Sequence, residues 1–156
     1  MASFIQGKQL RLLEYGNQVV KAAQALPQSA TATLFTVAGG RVVITSLAGT
    51  VSTVIGGTAT TLALGTAPTV GTAATAGIAS ATAITSKEAG THIWLPATAG
   101  SALNVGGNAG AAAQLLGGQA YVVSAGTITW TTSASTTGAI SWSLTYIPLD
   151  DGASVS

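Results

Sequence analysis

The chain has no cysteine and very little charge. Only 6% of its 156 residues are charged, whereas an ordinary globular domain has roughly 25%. Without cysteine there is no disulfide, no zinc–thiolate site and no thiol nucleophile. The only carboxylates are Glu14, Glu88, Asp150 and Asp151, which leaves little material for acid–base catalysis by paired carboxylates. We therefore predict that the protein is not an enzyme and that it uses no cofactor or metal.

Basic charge and long apolar runs are scarce as well. Five lysines and arginines give a formal net charge of +1, too little for the basic stripe that nucleic-acid binding requires. No window reaches the roughly 18 to 20 apolar residues of a membrane helix. Residues 1–7 lack the charged start and long apolar segment of a secretory signal. We expect no nucleic-acid partner, no membrane association and synthesis in a cytoplasm.

The few motifs that carry chemistry are incomplete. His92 is the only histidine, and Glu88, four residues away, would share a helix face with it but not a strand face. Residues 91–95 are predicted as a strand, so the pair does not predict a metal site. A serine triad would depend on the same histidine, and no Gly-x-Ser-x-Gly elbow is present. The glycine cluster at 106–110 matches neither the dinucleotide nor the P-loop spacing.

Alanine, threonine and glycine supply 74 of the 156 residues, and from Thr31 onward apolar residues alternate with small polar ones. This period of two predicts strands. In segment 34–45, Gly39 and Gly40 can supply the positive φ angles of a two-residue turn. The predicted hairpin places Phe35 opposite Ile44. A second reversal is predicted at Ala48-Gly49.

The C-terminal third shows the same alternation around tryptophan. Trp130 and Trp142 each lie in a run that alternates with serine or threonine. A three-residue loop ending at Gly138 would join the runs into a second hairpin, with Trp130 facing Leu144. The two tryptophans are then predicted to share one buried face. Aromatic cross-strand pairs of this kind stabilise a sheet.

Together these patterns predict a mainly β protein, an antiparallel β-sandwich or small barrel with an N-terminal arm. The predicted organisation is an arm at 1–27, a β domain at 28–150 and a flexible tail at 151–156. Residues 56–90 form a low-complexity tract with weak strands. Alanine content alone predicts a short helix at 109–116.

The arm differs from the rest because it concentrates the charge. A stripe of apolar residues spaced by three or four predicts a helix, although Gly16-Asn17 interrupts it and Leu10 and Leu12 would also suit a strand. The stripe consists of Leu12, Tyr15, Val19, Ala23 and Leu26. The predicted partner-contact residues combine apolar and basic side chains: Lys8, Leu10, Arg11, Leu12, Leu13, Val19, Val20 and Lys21. We expect residues 1–26 to become ordered against a partner.

Two segments resemble small structural proteins of tailed bacteriophages. They are residues 34–45, Leu-Phe-Thr-Val-Ala-Gly-Gly-Arg-Val-Val-Ile-Thr, and residues 138–150, which contain Ile-Ser-Trp-Ser-Leu-Thr-Tyr-Ile-Pro-Leu-Asp. Together they cover about a sixth of the chain. The resemblance implies a virion component, and among such proteins a head decoration (cement) protein.

A cement protein would be a homo-oligomer, commonly a trimer, made in the host bacterial cytoplasm. It would sit on the outer capsid surface, bound to the lattice of the major capsid protein. A tail-tube, baseplate or fibre component is the alternative within the same class. A Thr-rich ice-binding protein is a distant alternative, suggested by Thr-x-Thr pairs such as Thr31/Thr33 and Thr127/Thr129.

Overall fold

A computed structural model describes residues 7–110 and 120–156, and within them two antiparallel β-sheets account for most of the chain. One helix precedes the strands. In chain order the elements are α1 (Gly7–Tyr15), β1 (Asn17–Ala25), β2 (Thr31–Ala38), β3 (Val42–Thr53), β4 (Thr61–Pro68), β5 (Ala74–Ala83), β6 (His92–Trp94), β7 (Asn104–Val105), β8 (Tyr121–Val123), β9 (Gly126–Thr132), β10 (Ala139–Pro148) and β11 (Ser154–Val155).

The strands form two sheets that pack face to face. Sheet A has the order β1-β10-β3-β6-β7, and β8 also pairs with β3; sheet B has the order β11-β2-β9-β4-β5. The inward residues of both sheets make one hydrophobic core, as is typical of a β-sandwich. The predicted mainly β sandwich is confirmed, and within the described residues no closed barrel forms.

Both predicted hairpins are wrong in their pairing. β2 lies in sheet B and pairs with β9 and β11, whereas β3 lies in sheet A and pairs with β10. Gly39 and Gly40, with φ of 75° and 149°, therefore carry the chain from one sheet to the other. Phe35 and Ile44 are still buried in the same core, but they enter it from opposite sides.

The two tryptophans also meet across the core. Trp130 belongs to β9 in sheet B and Trp142 to β10 in sheet A. Their rings lie edge to face, with centroids 6.0 Å apart and planes at 88°. The reversal predicted at Ala48-Gly49 is absent because β3 runs unbroken through it. Gly49 lies opposite Trp142, and a Cβ there would come within 2.9 Å of the indole ring.

The predictions for the two ends of the chain need correction. The helical stripe fails beyond Tyr15, because Gly16 has a φ of 83° and the chain continues as strand β1. At the other end, residues 151–156 were expected to be a flexible tail. Instead, β11 pairs with β2 and Val155 is buried in the core. The helix predicted at 109–116 falls largely on 111–119, outside the described residues.

Candidate partner-contact surface

Helix α1 presents leucines to solvent. Leu10, Leu12 and Leu13 are 56%, 52% and 71% exposed, although a helix of a globular protein normally buries its apolar side chains. Lys8 and Arg11 lie on the same helix, and their side chains are outside the described part of the chain. Five of the eight predicted contact residues therefore belong to one helix whose leucines are largely uncovered.

The end of α1 is fixed to the outer face of sheet A. The Thr45 hydroxyl donates a 2.5 Å hydrogen bond to the Tyr15 carbonyl oxygen and lies 2.7 Å from the Thr145 hydroxyl. Gly16 packs so closely on Tyr146 that a Cβ would collide with the Tyr146 carbonyl oxygen. A groove of about 580 Å³ separates part of the helix from the start of β1 and from β10. The helix is thus anchored at its C-terminal end and stands off the sheet.

The other three predicted contact residues lie on β1, an edge strand of sheet A. Val20 is 65% exposed, whereas Val19 is half-buried and packs against the core. Lys21 is also half-buried, and its Nζ lies 5.8 Å from the centroid of the Phe35 ring. An inward-pointing charge on an edge strand discourages pairing with another strand. Val19 and Lys21 therefore help to close the sandwich, and Val20 remains the outward residue.

A second apolar surface was not predicted from the sequence. On the outer face of sheet A, β10, β3 and β8 bring Ile147, Val43 and Val122 into one cross-strand row. Ile147 and Val122 are 40% and 62% exposed, and Leu149 just beyond β10 is 47% exposed. We call these four residues the apolar row. The signal in the sequence is a pair of consecutive apolar residues at a strand end, such as Val42-Val43, which breaks the alternation.

Four charged side chains of the β domain hold loops. Arg41 and Asp150 form an ion pair of 2.7 Å, and the Arg41 backbone N–H also donates to the Asp150 carboxylate. These hydrogen bonds lower the pKa of Asp150 to about 2. Lys87 Nζ donates to the carbonyl oxygen of Gly106, and Glu88 accepts a 2.9 Å hydrogen bond from the backbone N–H of Ala109.

His92 has a structural environment. Its Nδ1 lies 3.0 Å from the Thr50 hydroxyl on the neighbouring strand, and its ring lies 6.2 Å from that of Trp94. Glu88 turns instead to the glycine-rich loop. In the part of the chain that the structure describes, no three metal-ligating side chains come together and no helix is long and apolar enough to cross a membrane.

Threonines pair across β2 and β9 on the outer face of sheet B. Thr31 lies opposite Thr131 with their hydroxyl oxygens 2.7 Å apart, and Thr33 lies opposite Thr129. A bulge after Thr33 interrupts the register, and Thr129 is only 6% exposed. The two strands thus carry a short, partly covered threonine patch and no regular, open array.

Comparison of the chain with protein families, with curated proteins and with solved structures finds no match. The functional interpretation therefore depends on the chain's own surfaces. Two of these are apolar and uncovered: the α1 leucines and the apolar row.

Proposed function

We propose that the protein is a non-enzymatic structural component of a phage particle, a decoration protein that binds the outer surface of the assembled capsid. The observation that carries this proposal is the exposure of Leu10, Leu12 and Leu13 on an anchored helix. Exposed apolar patches of this kind mark interaction sites. The resemblance of residues 34–45 and 138–150 to phage structural proteins supplies the class of partner.

The β-sandwich suits this role because its interior provides stability while its surface provides contact. Charges within the β domain hold loops such as that of Arg41 and Asp150, so they do not form an acid–base pair in a cavity. A protein that binds the assembled shell, but not its free subunits, stabilises the shell by mass action. Tight binding to the lattice would then be the whole activity.

The contact is proposed for the α1 half of the arm. Residues 17–25 pair with β10, so β1 belongs to the sandwich, and α1 is the segment left to reach a lattice. Its basic residues Lys8 and Arg11 would orient the contact and its leucines would be buried in it.

The experiment uses heads of the encoding phage, assembled without this gene. Purified protein is added to the heads, and binding is measured by co-sedimentation and by the temperature at which the heads release DNA. A chain lacking residues 1–15 retains β1 and Leu26, which is 2% exposed, so it is expected to fold. The matched control is Val54→Glu, which changes a 54% exposed valine beyond the end of β3.

We expect the wild type and the Val54→Glu protein to bind and to raise the release temperature, and the truncated chain to fold but to bind at least tenfold more weakly. Binding of the truncated chain equal to wild type would remove α1 from the contact. Failure of the wild type to bind heads, with the protein found instead in purified tails, would overturn decoration in favour of a tail component.

A further inference from the structure

The outer face of sheet A carries a patch of aromatic and hydroxyl side chains that neither α1 nor the apolar row includes. Two neighbouring cross-strand rows form it, each running from β10 over β3 to β6. The first row consists of Ser143, Ala48 and Trp94, and the second of Ser141, Thr50 and His92. All six residues are half-buried. We call them the aromatic–hydroxyl face.

The uncovered part of Trp94 is apolar. Its Nε1 is buried and has no hydrogen-bond partner among the described residues. Since Trp94 as a whole is only half-buried, the part of the indole that reaches solvent consists of carbon. Its neighbour on β3 is Ala48, whose single methyl group is too small to cover the ring. The His92 ring lies 6.2 Å away at an angle of 47°, so two rings form a wall along β6.

The serines of β10 have their hydrogen-bonding roles already fixed. The Ser143 hydroxyl accepts a 2.8 Å hydrogen bond from Gln18 Nε2, which leaves its own proton to be donated. The Ser141 hydroxyl donates to the Thr50 carbonyl oxygen at 3.3 Å, which leaves its lone pairs to accept. The two hydroxyls lie about 7 Å apart along the strand. This pair suits a ligand whose groups both donate and accept, as hydroxyl groups do.

The charge around the face restricts the ligand to a neutral one. Among the described strands of sheet A, Lys21 is the only charged residue, and its Nζ lies against the Phe35 ring of the core. In the loop before β6, Lys87 and Glu88 have opposite signs and are both hydrogen-bonded to the loop at 106–110. An anionic or cationic ligand would therefore lose hydration here without gaining a counter-charge on the strands.

We infer that the aromatic–hydroxyl face binds a neutral saccharide. The C–H face of a sugar ring packs on an aromatic ring, whose face carries partial negative charge, and the sugar hydroxyls reach Ser141 and Ser143. From β10 to β6 the face spans two strand spacings, about 10 Å, which is the length of a disaccharide. An apolar protein surface fits less well, because it would leave the serine hydroxyls buried without partners. The inference does not depend on the proposed function, since α1 is not part of this face.

The test is titration of the purified full-length protein with three neutral hexasaccharides: maltohexaose, cellohexaose and the hexamer of N-acetylglucosamine. Binding is measured by calorimetry and by tryptophan emission. The chain has three tryptophans, and Trp130 and Trp142 are only 2% and 1% exposed, so a change in emission on binding reports Trp94. The hexamer of galacturonate serves as the anionic probe.

Two variants address the face from different sides. Trp94→Ala removes the indole. Ala48→Leu removes nothing and places a larger side chain beside the ring, so it covers the surface on which the sugar would pack. The matched control is Ala38→Leu, the same substitution at an exposed alanine on β2 of sheet B. Circular dichroism and thermal melting check that each variant keeps its fold.

We expect saturable binding of at least one neutral hexasaccharide, with a change in tryptophan emission. Trp94→Ala and Ala48→Leu should each bind at least tenfold more weakly, a loss of about 1.4 kcal/mol, and Ala38→Leu should bind as the wild type does. If Trp94→Ala fails to fold, the comparison of Ala48→Leu with Ala38→Leu decides the result.

No saturable binding of any of the three neutral hexasaccharides would overturn the inference, and so would a folded Ala48→Leu protein that binds as tightly as wild type. Tighter binding of the galacturonate hexamer would overturn the neutral class of ligand. Capsid binding is a separate measurement. A protein that binds a hexasaccharide but not phage heads would refute the proposed function alone, and the reverse result would refute the saccharide site alone.

Discussion

Truncating Trp142 to alanine tests the cross-sheet arrangement of the core. Trp142 is 1% exposed and meets Trp130 edge to face, and large aromatic truncations in cores cost about 3–5 kcal/mol. The residue opposite is Gly49, which has no side chain to fill the space, so the cavity should persist and keep the cost high.

One feature of Trp142 reduces the expected cost. Within the described residues its Nε1 is buried without a hydrogen-bond partner, and a buried unsatisfied donor costs about 1–3 kcal/mol. Removing the ring also removes that cost. We therefore expect a net loss of about 3 kcal/mol in the free energy of unfolding. For a chain of this size the melting temperature should fall by about 6 to 12 °C.

The assay is reversible urea unfolding followed by circular dichroism, supported by calorimetry. A cycle of Trp142→Leu, Trp130→Leu and the double variant should give a coupling of about 0.5–1.5 kcal/mol, because the two aromatic rings contact each other. A Trp142→Ala protein that melts within about 2 °C of wild type would refute the burial argument. A coupling close to zero would refute the contact between the sheets.

Two further predictions concern the Arg41–Asp150 ion pair and the close approach of β5 to Gly65 in sheet B. Asp150→Asn should lower stability at pH 7 and should flatten the loss of stability between about pH 4 and pH 2. The reason is that Arg41 lowers the pKa of Asp150 to about 2. The ion pair therefore stabilises the fold at pH values above the ordinary carboxyl pKa, and this stabilisation is lost as the pH falls to about 2. If the free energy of unfolding, measured in urea, changed equally with pH in both proteins, the prediction would be contradicted. Gly65→Ala should cost about 1–3 kcal/mol, because the added Cβ would collide with the Ala74 carbonyl oxygen. Gly107→Ala, where nothing lies within 4 Å, is the control, and equal melting temperatures for the two variants would contradict the prediction.

The buried residues could be predicted from the sequence, but their partners could not. Alternation identified Phe35, Ile44, Trp130 and Trp142 as inward residues, and all four are in the core. A hairpin and a crossing between two sheets bury the same positions, since both reverse the chain and turn the same side chains to the interior. Period two therefore determines the face of each strand and leaves its hydrogen-bonded neighbour undetermined.

The candidate surface was predictable in part for a related reason. Apolar residues next to charge at the N-terminus predict a contact segment, and this stays a prediction; the structure adds that the α1 leucines are exposed. The change from helix α1 to strand β1 at Gly16 was harder to predict from the sequence, because the positive φ of Gly16 depends on its packing against Tyr146 and Ile147. The apolar row could not be assembled from the sequence, because consecutive apolar residues such as Val42-Val43 mark only one strand and the row is created by the register of three strands distant in sequence.

The distribution of charge connects the fold to its proposed use. A surface with little charge gives limited colloidal protection, so a chain like this is well suited to being covered by other subunits. Four of the described charges on the β domain are engaged locally: Arg41 with Asp150, and Lys87 and Glu88 with the loop at 106–110. In the proposed role, recognition of a partner would then depend on shape and apolar area. Such contacts are weak singly and become strong when repeated on a lattice, because each bound copy raises the effective concentration of the next contact.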